Sequence, residues 1–204
     1  MGYIDAESVR KTVRDLCIQA CTVLPDDVLS ALRWSRDAEG KGLAGDIMDM
    51  LLENAEIAAG EKVPICQDTG LVHVFLDLGR DVTMKGDLFQ AVVEGVALGY
   101  TEGYLRKSVV DDPLFDRVNT KDNSPPVIHL ELVPGSDLTI TVMPKGTGSE
   151  NMSRLAMLTP AAGPEGVKRF VLDTVKNAGA NACPPMIVGV GVGVMMDKAA
   201  YLAK

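Results

Sequence analysis

The sequence predicts a mixed α/β fold (mixed α+β): an N-terminal helical layer followed by a mixed sheet with covering helices. Three observations carry that expectation. Apolar residues recur at helical spacing through the first quarter of the chain. Alternating apolar runs follow from residue 71 onward. Helical patterns then return between and behind those runs.

Taken in order, residues 5–24 read as an amphipathic helix, with Val13, Leu16, Cys17, Ala20, Cys21 and Leu24 on its apolar face. Residues 44–59 read as a second, with Ile47, Met50, Leu51 and Ala58 inward and Gly60 as its stop. LVHVFLDL, 71–78, is a strand. Residues 86–105 form a helix again, with Val92 and Val96 inward and glycines that permit close packing. KSVVDDPLFDRVNTKDNSPP, 107–126, reads as a long ordered loop or as elements that periodicity misses. VIHLELV and LTITVM flank PGSD, the signature of a β-hairpin. Residues 164–178 form a helix opened by Pro164 and closed by Gly179. MIVGVGVGV is a buried strand or a glycine-rich strand-to-helix turn, and MDKAAYLAK begins a last helix. There is no internal repeat. The expected organisation is one domain over 1–204, with the helical layer at about 1–60 and the α/β part at about 61–204.

The chain has 204 residues and a formal net charge of −8. That sign disfavours nucleic acid or an anionic membrane as the main partner. No apolar run reaches the roughly 18 residues of a membrane span, and the N-terminus is too polar for a secretory signal. Four cysteines without a disulfide-framework spacing suit a reduced, cytoplasmic protein.

One stretch is chemically dense. PICQDTG, 64–70, holds a soft ligand (Cys66), an amide (Gln67), a carboxylate (Asp68), a hydroxyl (Thr69) and a flexible glycine (Gly70). Cys17 and Cys21 sit four apart on an apolar helix face and read as core residues. Cys66 and Cys183 instead lie in loops beside prolines, where inert and functional roles both stay open. Pro184 is expected to hold Cys183 in extended backbone. In PKGTGSENMS, 144–153, Gly146 and Gly148 free the backbone, Lys145 supplies charge, and Ser149 with Glu150 and Asn151 starts a helix. The stretch reads as an anion nest or as an ordinary glycine-rich turn; it lacks the Gly-Lys-Ser/Thr ending of a Walker A loop. Arg106 and Arg117 are further cation candidates. His73 and His129 fall within strands, as partnered sheet histidines.

ICQDTG, KGTGSEN and NACPPMIVGVGVG, in that order, resemble the iron–sulfur hydro-lyases of the class I fumarase and L(+)-tartrate dehydratase type. More narrowly, the chain is similar to the α-subunit or N-terminal region of that family, from about residue 5 to the end. LRKSVVDDPL and RVNTKDNSPP look like the family's arginine segment and its NTGDN-type loop. The resemblance implies a [4Fe–4S] cluster with one open iron, a small dicarboxylate substrate, and a β-subunit or C-terminal region as partner in an oligomer. It implies that Cys66 and Cys183 are cluster ligands and that Gln67 and Asp68 contact substrate, Asp68 also acting as acid or base. Arg106 then clamps a substrate carboxylate, and Lys145, Gly146, Thr147, Gly148, Ser149, Glu150 and Asn151 form the substrate-binding loop.

Three departures accompany the match. The family's third cluster cysteine falls beyond the LAK that ends this sequence, so the domain is expected to be incomplete at its C-terminus. Lys121 stands where the family loop often has glycine, and GVGVMMD replaces a GIGGT-type stretch. These departures keep a second expectation open: a truncated, non-catalytic relative that serves as a binding or assembly module without a cluster.

Overall fold

The computed structural model describes residues 2–193 and 195–204. They fall into two compact units, 1–145 and 146–204. The class is mixed α/β, as the sequence predicts.

The first unit opens with β1 (Gly2–Asp5) and α1 (Ala6–Thr22). Asp5 caps α1, its Oδ1 accepting from the Ser8 N–H at 3.0 Å. Helices α2 (Asp26–Glu39) and α3 (Leu43–Glu61) follow. The strand β2 (Leu71–Gly79) leads through β3 (Val82–Lys85), which pairs with β1, into α4 (Leu88–Glu102). The core is aliphatic. Val9, Val13, Cys17 and Cys21 of α1 meet Val92, Val96 and Tyr100 of α4 over Val72, Val74 and Leu76 of β2. A Cβ on Gly95 would lie 2.7 Å from the Arg10 carbonyl oxygen, so the glycines of α4 do permit the close packing expected of them.

Several expectations are corrected. On α1, Ala20 faces solvent and Leu16 is only half-buried, because Thr22 and Val9 complete the buried face instead; the helix ends at Thr22, and the half-buried Leu24 lies beyond it. The helix α2 was not anticipated, and none of its residues is buried. On α3 the buried residues are Gly45, Met48, Ala55 and Ala58, while Ile47 and Met50 are exposed. The helix is apolar on two faces, and periodicity alone does not say which one meets the core. It also runs past Gly60 and ends at Lys62, whose φ is 55°.

The hairpin around PGSD does not form. β6 (Val127–Val133) and β7 (Leu138–Lys145) lie on opposite edges of β2, in the order β6-β2-β7. β6 runs parallel to β2 and β7 antiparallel to it. The connection crosses the end of β2, where the Arg80 N–H donates to Val133 O and the Asp81 N–H to Gly135 O, each at 2.9 Å. A Cβ on Gly79 would sit 2.5 Å from Gly135 O, so the crossing needs glycine there. The physical reason is the apolar β2, which satisfies both of its edges by taking one strand on each.

Between α4 and β6, β4 (Val110–Asp111) and β5 (Val118–Asn119) make a two-stranded sheet inside the stretch that reads as irregular. Two-residue strands leave no periodicity to detect.

In the second unit, α5 (Thr147–Glu150) is a single turn and α6 (Gly163–Ala178) is a full helix with Pro164 in its first turn and Gly179 beyond its end. α7 (Met196–Leu202) closes it. The described part of MIVGVGVGV, 186–193, is neither a ladder strand nor buried: Ile187 is 82% and Val192 66% exposed. Gly189 and Gly191 lie against α7 and the residue after it, close to Ala203 O and Ala199 O respectively. Val194, the last residue of that run and part of GVGVMMD, lies outside the described residues. No helix among the described residues is long and apolar enough to cross a membrane.

Candidate functional site

In the first unit, PICQDTG forms a tight turn ahead of β2. Asp68 Oδ1 accepts from the Gly70 N–H at 3.0 Å, an Asx-type turn that orients the carboxylate. The Cys66 thiol is exposed, donates to Gln67 Oε1 at 3.1 Å and accepts from the Asp68 N–H at 3.5 Å. Gly70 has φ +71°, and a Cβ on it would lie 2.5 Å from the Lys145 carbonyl carbon. Gly70 thus turns the chain into the sheet, and Lys145 arrives beside it through the Leu71–Lys145 register of β2 and β7.

Thr69 joins this turn to the arginine segment. Its Oγ1 accepts from the Arg106 N–H at 2.9 Å and donates to Arg106 O at 3.2 Å. The Arg106 side chain projects from that anchored backbone and the residue is exposed. Asn123, fully buried, joins the third segment: Nδ2 donates to Gly70 O at 3.1 Å, and Oδ1 accepts from the Ser108 and Val109 N–H groups at 2.7 and 3.1 Å. From below, the Tyr100 hydroxyl donates to the Thr69 carbonyl. So three segments far apart in sequence share one hydrogen-bonded frame. Thr69 appears in the dense stretch and Asn123 in RVNTKDNSPP, but nothing in the sequence marks Tyr100. The one available signal for Asn123 is the Asx-rich NTKDNS, since Lys121 (φ 68°) and Asn123 (φ 63°) both take left-handed backbone. That explains why a family loop would hold glycine at position 121.

The other cation candidate, Arg117, turns inward on its own loop and donates to Pro113 O at 2.7 Å. His73 and His129 are partnered across the sheet, Nδ1 to Nε2 at 3.1 Å, with Phe75 stacked on both rings.

In the second unit, α5 begins at Thr147 rather than at Ser149, with the Glu150 N–H donating to Gly146 O at 3.0 Å. A single turn carries little of the macrodipole on which the anion-nest reading drew. Gly148 packs against the other loop cysteine: a Cβ there would lie 3.5 Å from Cys183 Sγ and 3.2 Å from Asn181 O. Thus KGTGSEN and NACPP lie together. Cys183 is exposed and has φ 55°, ψ 68°, not the extended backbone expected before Pro184. The proline rule excludes right-handed helix, and the left-handed cap of the 3₁₀ turn Gly179–Ala182 satisfies it as well.

Donor chemistry separates the four thiols. Cys66 and Cys183 are exposed soft donors. Cys17 and Cys21 are buried, and burial pushes their thiols up to about 12 and about 11. Among the described residues no group of three or more His, Cys, Asp or Glu gathers to hold a metal ion.

The family model described as fumarate hydratase (fumerase) matches residues 10–204. The chain is 39% identical over 203 residues to the putative L(+)-tartrate dehydratase subunit alpha of Methanocaldococcus jannaschii, covering 96% of this chain and 70% of that protein. It is 33% identical over 187 residues to the L(+)-tartrate dehydratase subunit alpha of Escherichia coli strain UTI89, covering 90% of this chain and 61% of that protein. The strain K12 protein of the same name is 32% identical over the same shares. The chain therefore spans between 61% and 70% of the length of these curated relatives.

Proposed function

Because this chain belongs to the fumarate hydratase (fumerase) family of hydro-lyases, we propose that it is the α-part of an enzyme that hydrates or dehydrates a small dicarboxylic acid of the fumarate/malate or tartrate type. Residues 1–204 act as one α-type domain. A β-subunit or a C-terminal region supplies the remaining contacts, and the assembly works in the cytoplasm.

Thiolate sulfur is the usual ligand of iron–sulfur clusters, and the two exposed cysteines fit that chemistry. Cys66 and Cys183 would hold a [4Fe–4S] cluster, with a third thiolate from outside residues 1–204, since Cys17 and Cys21 belong to the core. When bound, the cluster supplies an open iron as Lewis acid for the substrate hydroxyl. The chain's own residues then bind substrate and handle its proton. Arg106 offers a planar fork of donors to one substrate carboxylate. Lys145 and the loop of Gly146, Thr147, Gly148, Ser149, Glu150 and Asn151 bind substrate, and Gln67 contacts it. Asp68 accepts or returns the carbon-bound proton, its carboxylate oriented by the Gly70 N–H.

The observation that supports this reading most is the reciprocal pair of bonds between Thr69 and Arg106. It anchors the arginine to the Gln67–Asp68 turn. The test is iron and acid-labile sulfide per chain after anaerobic reconstitution with the partner subunit, for the native chain and for Cys66→Ser and Cys183→Ser. About four of each in the native complex, lost in both variants together with fumarate or tartrate turnover, is the expected result. Native complex without iron would instead favour the binding or assembly module.

A further inference from the structure

The helix α3 has an exposed apolar row that the fold leaves outside the core. Leu43 is 77% exposed, Ile47 47%, Met50 59% and Ile57 46%. Their spacing of four, three and seven residues is that of a two-helix seam, interrupted between Met50 and Ile57 by Asn54, whose Nδ2 donates to Ile65 O at 2.9 Å. At about 3.6 residues per turn the row occupies a sector of about 80° and extends about 21 Å. On one side it borders the buried face of Met48, Ala55 and Ala58. On the other it borders a mainly acidic edge that carries Asp46, Asp49, Glu53 and Glu56, all exposed. Asp49 is held by Arg36 of α2 at 2.6 and 2.8 Å, and the other three continue the edge.

We propose that this row is a docking seam for an amphipathic helix of a partner polypeptide, one whose apolar row is bordered by Lys or Arg. Charge complementarity selects that occupant. A bordering cation meets the acidic edge, whereas a bordering anion is repelled. A second copy is disfavoured by the same edge. Two α3 helices packed antiparallel through the row would face one acidic edge with the other, in a chain whose net charge is already −8. The inference rests on α3 alone and does not depend on the cluster or the substrate.

The test uses the full chain and two labelled synthetic helices of matched length. Both carry the same leucine row; one is bordered by lysines and the other by glutamates. Binding is read by fluorescence anisotropy, and self-association of the protein alone by sedimentation velocity. The lysine-bordered helix should bind at least about tenfold more tightly than the other, with the preference shrinking as salt is raised. The double variant Asp46→Lys/Glu53→Lys should reverse the order, and Ile47→Glu/Met50→Glu should abolish both. All these positions are exposed, and an unchanged circular dichroism spectrum verifies the fold of each variant. Equal binding of both helices, binding of neither, or no response to charge reversal overturns the proposal. So does a protein dimer that Ile47→Glu dissociates, which would make the second copy the occupant.

Discussion

The side-chain amide of Asn123 donates to the carbonyl oxygen of Gly70 at 3.1 Å, across 53 positions of sequence. Its oxygen simultaneously holds the Ser108 and Val109 N–H groups, and the whole side chain is shielded from water. One residue therefore ties the PICQDTG turn to the segment that follows Arg106.

Asn123→Ala leaves one buried carbonyl and two part-buried N–H groups without this partner. At about 1 kcal/mol for each bond, a loss of about 3 kcal/mol is expected in urea unfolding. A change under about 0.5 kcal/mol would mean that the three segments do not depend on this residue.

Tyr100 is buried, and its hydroxyl donates to the carbonyls of Thr69 and Gly70. Burial, with Cys21 and Cys17 nearby, pushes its phenol well above the usual tyrosine range, so it stays a donor across the working pH range. Tyr100→Phe keeps the packing and removes the donor, and should lower stability by about 1–3 kcal/mol. Hydrogen exchange should accelerate at residues 66–71 in that variant; uniform acceleration over the whole unit would argue against a local role.

Thiol chemistry should divide the cysteines two and two. In the folded protein at neutral pH, Cys66 and Cys183 react with a disulfide reagent, while Cys17 and Cys21 react only on unfolding. The buried pair is both shielded and short of thiolate, since burial pushes those thiols up to about 12 and about 11. Mass spectrometry of the labelled peptides reads the outcome directly. Rapid labelling of Cys17 would mean that the α1–α4 contact opens in solution.

Burial pushes the Asp122 carboxyl up, but the Ser124 N–H and hydroxyl and the Thr120 hydroxyl outweigh it and hold it below its ordinary value of 3.8. A depressed folded pKa contributes stability above the unfolded value, lost as pH falls through the folded one. Asp122→Asn should therefore cost at most about 1 kcal/mol at neutral pH. The gap should close as the medium is acidified below the ordinary carboxylate range. A gap that widens in acid would reverse the sign of this contribution.

Residue order alone was enough for α1, β2, α4 and α6, for the loop positions of Cys66 and Cys183, and for the core role of Cys17 and Cys21. Helical and strand periods are short-range, so neighbouring residues carry the signal, and a cap such as Gly179 is read where it stands. Family membership was legible in the same way, because ICQDTG, KGTGSEN and NACPP are contiguous strings. Pairing was not. PGSD announces a reversal of the chain but does not say which strand its flanks will meet, and here β2 takes one on each edge. Nor does the period of α3 decide which of its two apolar faces turns inward, because that depends on the surface the helix meets. The bonds of Thr69 to Arg106 and of Asn123 to Gly70 span 37 and 53 positions. Those pairings depend on the turn, the arginine segment and the NTKDN loop reaching one place, and only the folded backbone brings them there.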